Sequence, residues 1–276
     1  MNFDMNKVWS RAIELVRDNF QLLVVIAGIF LLLPTLAAYL LIPDLQVFMD
    51  PAADPEVISA QLQDKLGPLL GIGIVAMIFQ FAGYGAMIAL MGHSRPTVGE
   101  ALKSGLRVVP STFGVLAIFL LAYVLAAIVI SVPVGIIASL SGLASLAFLA
   151  VLVVLAMVIF LLARMSMSLP VLVLEQTLNP IKAVSRSFRL TGPKKWAIML
   201  FWGVLFGAYM VVAVLLTSIF GLIAALAGDS TVAMLILGFT NGLLGMGIGM
   251  LVSGLAVAMH GQLAGPSEAE LKSTFE

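Results

Sequence analysis

The length of the charge-free apolar stretches constrains this chain more than any other feature of its sequence. Residues 20–42 form the first stretch, which reaches the roughly 20 residues that a helix needs to cross a hydrocarbon core. It also exceeds the roughly 7–15 residues of a signal-peptide apolar region, so it predicts a membrane span rather than a cleaved segment. We predict an all-α, polytopic membrane protein with six transmembrane helices. The predicted spans are residues 20–42, 66–91, 113–132, 143–162, 196–220 and 234–259.

The composition of the chain supports the same class. Hydrophobic residues make up 62% of the chain and charged residues 10%, whereas soluble domains contain about 25% charged residues. The chain has no Cys, which excludes disulfides, thiolate metal sites, iron–sulfur clusters and a cysteine nucleophile. We therefore predict a single integral membrane domain over residues 1–276.

The third and fourth predicted spans share one long uncharged stretch between Arg107 and Arg164, so a break must separate them. Pro and Gly disfavour the continuation of a helix, and clusters of Gly, Pro and Ser are typical of loops. We place the break where these residue types occur together, at Pro133, Gly135, Ser139, Ser141 and Gly142.

The distribution of basic residues predicts the orientation of the spans. Thirteen of the 14 Lys and Arg residues fall in every second gap between spans, and Lys65 is the exception. Because basic residues accumulate in cytoplasmic loops, we expect both termini in the cytoplasm. The pattern indicates a multi-pass protein of the bacterial inner membrane, with its basic segments on the inner side.

Each of the three basic inner segments has the periodicity of a short amphipathic helix that lies in the membrane interface. Thr97 and Glu100 form a capping-box pattern at the start of the second segment. Asn179 followed by Pro180 is typical of a helix start and begins the third. In the third segment, the predicted apolar face contains Ile181, Val184 and Phe188, and the opposite face contains Lys182, Arg186 and Arg189.

These segments suggest an internal threefold plan, in which each unit has one interfacial helix followed by two spans. The best local alignment sets Ala101 against Ala183 and Arg107 against Arg189. Two explanations remain open. The units are a true repeat, or their similarity reflects the shared requirement that every inner segment be basic and amphipathic.

The predicted spans contain few polar residues and no Asp, Glu, Lys or His near a midplane. Their absence argues against an ion-coupled carrier, which needs a buried ionisable group. The two histidines, His93 and His260, lie at span ends without carboxylates at metal-ligand spacing. We therefore expect no catalytic residues, no metal site, no cofactor and no nucleic-acid partner.

The sixth span is rich in Gly and contains two GxxxG pairs, which allow another helix to approach closely. Amide side chains within the spans are expected to form hydrogen bonds between helices, worth about 1 kcal/mol each. Helix packing is the leading interpretation of this set, and a gate, a dimer contact or a substrate contact is the alternative. The set is Gln80, Gly238, Asn241, Gly242, Gly245 and Gly249.

Residues 164–195 carry the most information about function. Arg164 ends the fourth span, and the apolar stretch after it is too short to cross, so we predict an elbow in which Arg164 pairs with Glu175. A lipid phosphate is the alternative partner for Arg164. The basic residues beyond the elbow favour anionic lipid by about 1 kcal/mol each, or serve topology alone. This basic set is Lys182, Arg186, Arg189, Lys194 and Lys195.

The same stretch resembles a bacterial membrane family. The matching positions are Arg164, Pro170, Glu175, Asn179, Pro180, Ala183 and residues 187–192, Ser-Phe-Arg-Leu-Thr-Gly. The family is the membrane domain that precedes the catalytic domain of some glycerophosphoryl diester phosphodiesterases and that also occurs alone. In the fused members, the resemblance implies catalysis by a soluble barrel with His, Glu, Asp and a divalent metal. We expect no room for that barrel after the last span, so the resemblance implies a membrane module only.

Two functional hypotheses follow from these observations. The first is a non-enzymatic accessory or scaffold module that contacts anionic lipids of the inner leaflet, or a membrane-protein partner, through Arg164, Glu175 and the basic set. The second is a permease or lipid-transport component, with a pathway between the sixth span and Gln80 or Asn241.

Overall fold

A computed structural model describes residues 3–42, 55–92, 96–141 and 145–265 of the chain. The described residues form helices and no strand, and six helical stretches are long and apolar enough to cross a membrane, which confirms the all-α, six-span prediction. A π-helical turn covers Gly28–Leu32 and a 3-10 turn covers Gly192–Lys194. The helices are α1 Met5–Asp18, α2 Phe20–Ala27, α3 Leu33–Leu41, α4 Pro55–Met91, α5 Val98–Ser141, α6 Ser145–Met165, α7 Ser168–Leu174, α8 Pro180–Thr191, α9 Lys195–Leu226 and α10 Ser230–Ala264.

The described residues belong to two compact units, each assembled from separate parts of the chain. The first contains residues from Met1–Ala12, Val108–Gly207 and Leu255–Glu276. The second contains residues from Ile13–Arg107 and Ala208–Gly254. The single membrane domain over residues 1–276 stays a prediction.

The predicted break between the third and fourth spans is wrong for residues 133–141, and Gly142 lies outside the described residues. Helix α5 continues through Pro133 and Gly135 and ends at Ser141. In an apolar environment a broken helix leaves backbone polar groups without partners, so continuing through a Pro costs less than ending the helix. The hydroxyls of Ser139 and Ser141 donate to backbone carbonyls of the preceding turn, each at 2.8 Å.

The second amphipathic segment is also continuous with its span. We expected a short separate helix, but the segment is the start of α5, which runs from Val98 through Pro110 into the membrane stretch. The capping box is confirmed at its first turn. Thr97 N–H donates to Glu100 Oε2 at 2.8 Å, and Glu100 N–H donates to Thr97 Oγ1 at 3.3 Å.

The three amphipathic segments begin with the same kind of cap. Asp4 Oδ1 accepts from the N–H groups of Asn6 and Lys7 at 3.0 and 3.1 Å. Asn179 Oδ1 accepts from Lys182 N–H at 3.1 Å, as its sequence position predicts. Counted from Asp4, Thr97 and Asn179, the same three positions are buried in every segment. They are Val8, Ala12 and Leu15 in the first, Ala101, Gly105 and Val108 in the second, and Ala183, Ser187 and Leu190 in the third.

The second and third segments also pack on equivalent carbonyls of the preceding span, those of Ala82 and Arg164. A methyl group on Gly105 would lie 2.7 Å from Ala86 N and would also meet Ala82 O. At the same offset along the chain, Ser187 Oγ donates to Arg164 O at 2.7 Å and accepts from Met167 N–H at 3.2 Å.

The first segment contacts the end of α10 instead. Asp4 N–H donates to Gln262 Oε1 at 3.2 Å, and Gln262 Nε2 donates to Asp4 O at 3.4 Å. A shared requirement for basic, amphipathic composition does not fix a common burial register or equivalent contacts. The caps and the burial register of all three segments, and the carbonyl contact of the second and third, therefore favour a true internal repeat.

Glycines of α10 lie against the first span. A methyl group on Gly242 would lie 3.1 Å from Leu32 Cγ and 3.3 Å from Leu32 O. Methyl groups on Gly238 and Gly249 would similarly meet Tyr39, at 3.0 Å from its Cβ, and Leu31. The close packing expected at Gly245 is wrong, because no heavy atom lies within 4 Å of a methyl group built there.

The amide residues differ from expectation as well. Asn241 Nδ2 donates to Leu237 O on its own helix at 2.9 Å, so the hydrogen bond that we expected between helices is wrong for this residue. A carbonyl one turn earlier lies within reach of a short amide side chain, and this local bond competes with bonds to other helices. Gln80 is half-buried on α4.

We predict that Gly242→Val destabilises the protein and that Gly245→Val does not. Valine at residue 242 overpacks the contact with Leu32, which typically costs about 1–3 kcal/mol. The matched change at residue 245 enters open space and has the same intrinsic helix propensity. Thermal unfolding in detergent, followed by circular dichroism, measures the difference. Equal midpoints for the two variants would contradict the close packing at Gly242.

Candidate functional site

An elbow connects α6 to the basic helix α8. Helix α7 fills most of it and is buried at Ser168 and at residues 170–173. Two contacts with α5 fix the chain where α8 begins. Ser111 Oγ donates to Leu178 O at 2.6 Å, and Pro180 packs so closely on Gly114 that a methyl group there would lie 2.7 Å from Pro180 Cγ. The elbow is therefore a packed element that sets the position of α8.

Arg164 is held by three residues of α8. Its Nη1 donates to Thr191 Oγ1 at 2.9 Å, and its guanidinium lies over the ring of Phe188, 4.5 Å from the ring centroid. Its carbonyl accepts from Ser187 Oγ at 2.7 Å. Thr191 donates its own proton to Ser187 O at 2.8 Å, so an oxygen lone pair remains for the guanidinium. The side chain of Arg164 is thus oriented before any ligand arrives.

The predicted ion pair between Arg164 and Glu175 is wrong. Glu175 pairs instead with Arg186, whose Nε lies 3.1 and 3.2 Å from the two carboxylate oxygens. Helix α7, which has seven residues and is about 10 Å long, lies between Arg164 and Glu175. Because α8 packs against both α6 and α7, Arg186 rather than Arg164 reaches the carboxylate.

Glu175 also contacts the end of the last span. His260 Nε2, on α10, lies 3.0 Å from Glu175 Oε1. The side chains of His260, Glu175 and Arg186 are 11%, 31% and 35% exposed. Sequence reasoning missed this contact because the two residues lie 85 positions apart and share no local motif. His93, the other histidine, lies outside the described residues.

Helix α8 does not bury the face that its apolar residues predicted. Ile181 is 70% exposed, whereas the buried residues are mostly small. The buried face consists of Ala183, Ser187, Leu190 and Thr191. Successive residues of a helix turn by about 100°, so the remaining surface divides into two strips. An apolar strip contains Ile181, Val184 and Phe188, and a basic strip contains Lys182, Arg186 and Arg189.

A second cation lies beside an aromatic ring at the start of α9. Lys195 Nζ is 5.6 Å from the ring centroid of Trp196, which is 63% exposed. Trp196 in turn contacts Phe160 of α6, with ring centroids 6.3 Å apart. Phe160 and Arg164 are four residues apart on one helix, so they share a face. Lys194, in the 3-10 turn before α9, is half-buried.

An apolar groove of about 400 Å³ lies along the first two spans. The π-helical turn and α3 form one side, including Ile29 and Pro34, and α4 forms the other, including Gly71 and Phe79. Nearly all of its lining atoms are apolar, and the sixth span contributes none of its lining residues.

No known protein family, no curated protein and no solved structure matches this chain.

We predict that Glu175 and His260 are energetically coupled. Glu175→Gln and His260→Asn each remove one side of their contact, so the double variant should lose less stability than the two single losses combined. Coupling of about 0.5–1 kcal/mol is expected for a partly exposed pair. The four proteins of this double-mutant cycle are compared by unfolding in detergent. Additive losses would show that the two residues do not interact in solution.

Proposed function

We propose that this protein is a non-enzymatic accessory module of the bacterial inner membrane, with both termini in the cytoplasm, which contacts anionic lipid through α8. The carrying observation is that α8 leaves an apolar strip, with Ile181 exposed and Val184 and Phe188 half-buried, beside its basic strip. A helix that only covered the protein would need one buried face and one polar face. A third, apolar strip is expected where a helix lies at the boundary between acyl chains and headgroups.

The charges of α8 suit the inner leaflet. Each basic residue near an anionic membrane surface contributes about 1 kcal/mol of attraction. Lys182, Arg189 and Lys195 are exposed, whereas Arg186 is engaged by Glu175. Trp196, directly after Lys195, is exposed in the manner of the aromatic residues at membrane interfaces.

The packing of the elbow supports a scaffold function for α8. The contacts of Ser111 with Leu178 and of Gly114 with Pro180 fix the start of the helix, and Arg164 fixes its end. A surface that is ordered in advance loses little conformational freedom when it binds. The alternative ligand for the same basic strip is an acidic membrane-protein partner, and the resemblance to the phosphodiesterase membrane domain stays a prediction.

A lipid-transport component is the second candidate function, favoured by the apolar groove that the π-helical turn and α3 form with α4. Its lining suits an acyl chain and lacks the convergent polar groups that orient a polar solute. The pathway that we expected along the sixth span stays a prediction, since the groove lies elsewhere.

We predict that Lys182→Gln combined with Arg189→Gln reduces anionic lipid association. The two charges together contribute about 2 kcal/mol, which corresponds to at least a tenfold loss of affinity. Native mass spectrometry of the full chain, gently extracted from its own membrane, measures the phosphatidylglycerol retained relative to phosphatidylcholine.

The matched control is Lys103→Gln combined with Arg107→Gln, which removes the same charge from the repeat-equivalent segment in α5. An equal loss in the control would reduce the effect to net charge and overturn the assignment to α8. A protein could instead co-purify at fixed stoichiometry and be lost only in the α8 variant. The ligand of α8 would then be that protein and not lipid.

A further inference from the structure

The junction of α6, α8 and α9 contains cations that contact aromatic rings rather than carboxylates. Within the described part of the chain, Arg164 contacts the hydroxyl of Thr191 and the ring of Phe188, and no carboxylate. Glu175, the acid that the sequence offers as its partner, is occupied by Arg186 and His260. One of the five N–H donors of the guanidinium is used in the hydrogen bond to Thr191.

The corresponding contact of the second amphipathic segment forms without this charge. The positions equivalent to Arg164, Ser187 and Thr191 are Ala82, Gly105 and Val109. There the amphipathic segment packs directly on the backbone of α4, and the residues at these three positions carry neither a cation nor a hydroxyl. Packing of the third segment on α6 therefore does not explain why an arginine stands at residue 164.

A half-buried guanidinium at the end of a membrane span lies at the depth of the lipid headgroups, where an anion can pair with it. At headgroup depth, the abundant anion is the phosphodiester of a phospholipid. The planar fork of a guanidinium matches two oxygens of a phosphate, and stacking on an aromatic ring orients that fork. Thr191 and Phe188 supply this orientation for Arg164.

Lys195 provides a second positive charge next to the same face of α6. Phe160 lies one turn before Arg164, and it contacts Trp196, whose ring lies beside the Lys195 ammonium. An exposed Trp at this depth presents its apolar ring to the glycerol and upper acyl carbons of a lipid. Two cations around one phosphate favour a headgroup without a positive charge of its own over a zwitterionic one.

We infer that Arg164 and Lys195 bind the phosphodiester of one anionic phospholipid of the phosphatidylglycerol class, with Trp196 against its glycerol backbone. The inference rests on the proposed lipid contact of α8 but assigns a separate, stoichiometric site beside it. The basic strip of α8 attracts many lipids weakly, whereas this site holds one.

The test uses the delipidated full chain in detergent, titrated with short-chain phosphatidylglycerol, phosphatidylcholine or inorganic phosphate. Native mass spectrometry counts bound lipid, and thermal unfolding gives the affinity. We expect one phosphatidylglycerol to bind more tightly than the rest, and about a tenfold weaker affinity for that lipid in Arg164→Gln, because the bidentate, charge-assisted contact is lost. Arg164→Lys should recover part of the affinity, since it restores charge without the planar fork.

Two further variants keep the test decisive if Arg164→Gln fails to fold. Lys195→Gln changes an exposed residue, and Thr191→Val introduces the residue found at the equivalent position of α5. Both should weaken the single tight lipid, while Lys182→Gln with Arg189→Gln should reduce only the weak ones. Unchanged tight binding in Lys195→Gln and Thr191→Val would overturn the inference, as would equal stabilisation by phosphatidylcholine or by inorganic phosphate. If these variants lose only the weakly bound lipids, the proposed lipid contact of α8 stands and the single tight site is wrong.

Discussion

The contact between a capped amphipathic helix and the end of a membrane span is the interaction on which the rest of this protein depends. It occurs between Gly105 and Ala82, and again between Ser187 and Arg164. In both, a small residue lets the amphipathic helix approach backbone atoms of the preceding span. At Arg164, near the end of α6, the Ser187 hydroxyl also pairs with a carbonyl that the helix end leaves unsatisfied. Close backbone packing thus fixes the position of the amphipathic helices in a chain that has little charge and no Cys.

The two contacts differ in chemistry although they share geometry. The Gly105 contact is made by apolar and backbone atoms, whereas the Ser187 contact adds two hydroxyls, a guanidinium and an aromatic ring. Duplication of a structural unit allows one copy to maintain the fold while another acquires a polar site. The proposed lipid site rests on this difference between the two segments and not on polarity alone, since interfacial arginines also serve topology.

Sequence reasoning succeeded where the determinants are local. Span length, the Thr97–Glu100 capping box and the Asn179 cap depend on residues within a few turns of each other. It failed for the contact between Glu175 and His260, because nothing local links positions so far apart. It also misassigned the buried face of α8, since Ser187 and Thr191 are polar by composition but are buried where they bond to backbone and to Arg164. The break expected at Pro133 did not form, because an apolar environment offers no water to bond the backbone groups that a break would free.

The π-helical turn of the first span sets the rotational position of the side chains of α3, which follows it. A turn of this type accommodates one extra residue, which rotates the rest of the helix by about 100° relative to a regular one. Phe30, inside the turn, meets Phe79 of α4, while Leu36 and Tyr39, beyond it, meet Gly238 of α10. The first span therefore contacts both α4 and α10. A regular helix would not direct its two surfaces at these two neighbours. Deleting a single residue between Gly28 and Leu32 would keep the side chains of Leu36 and Tyr39 but turn them away from Gly238.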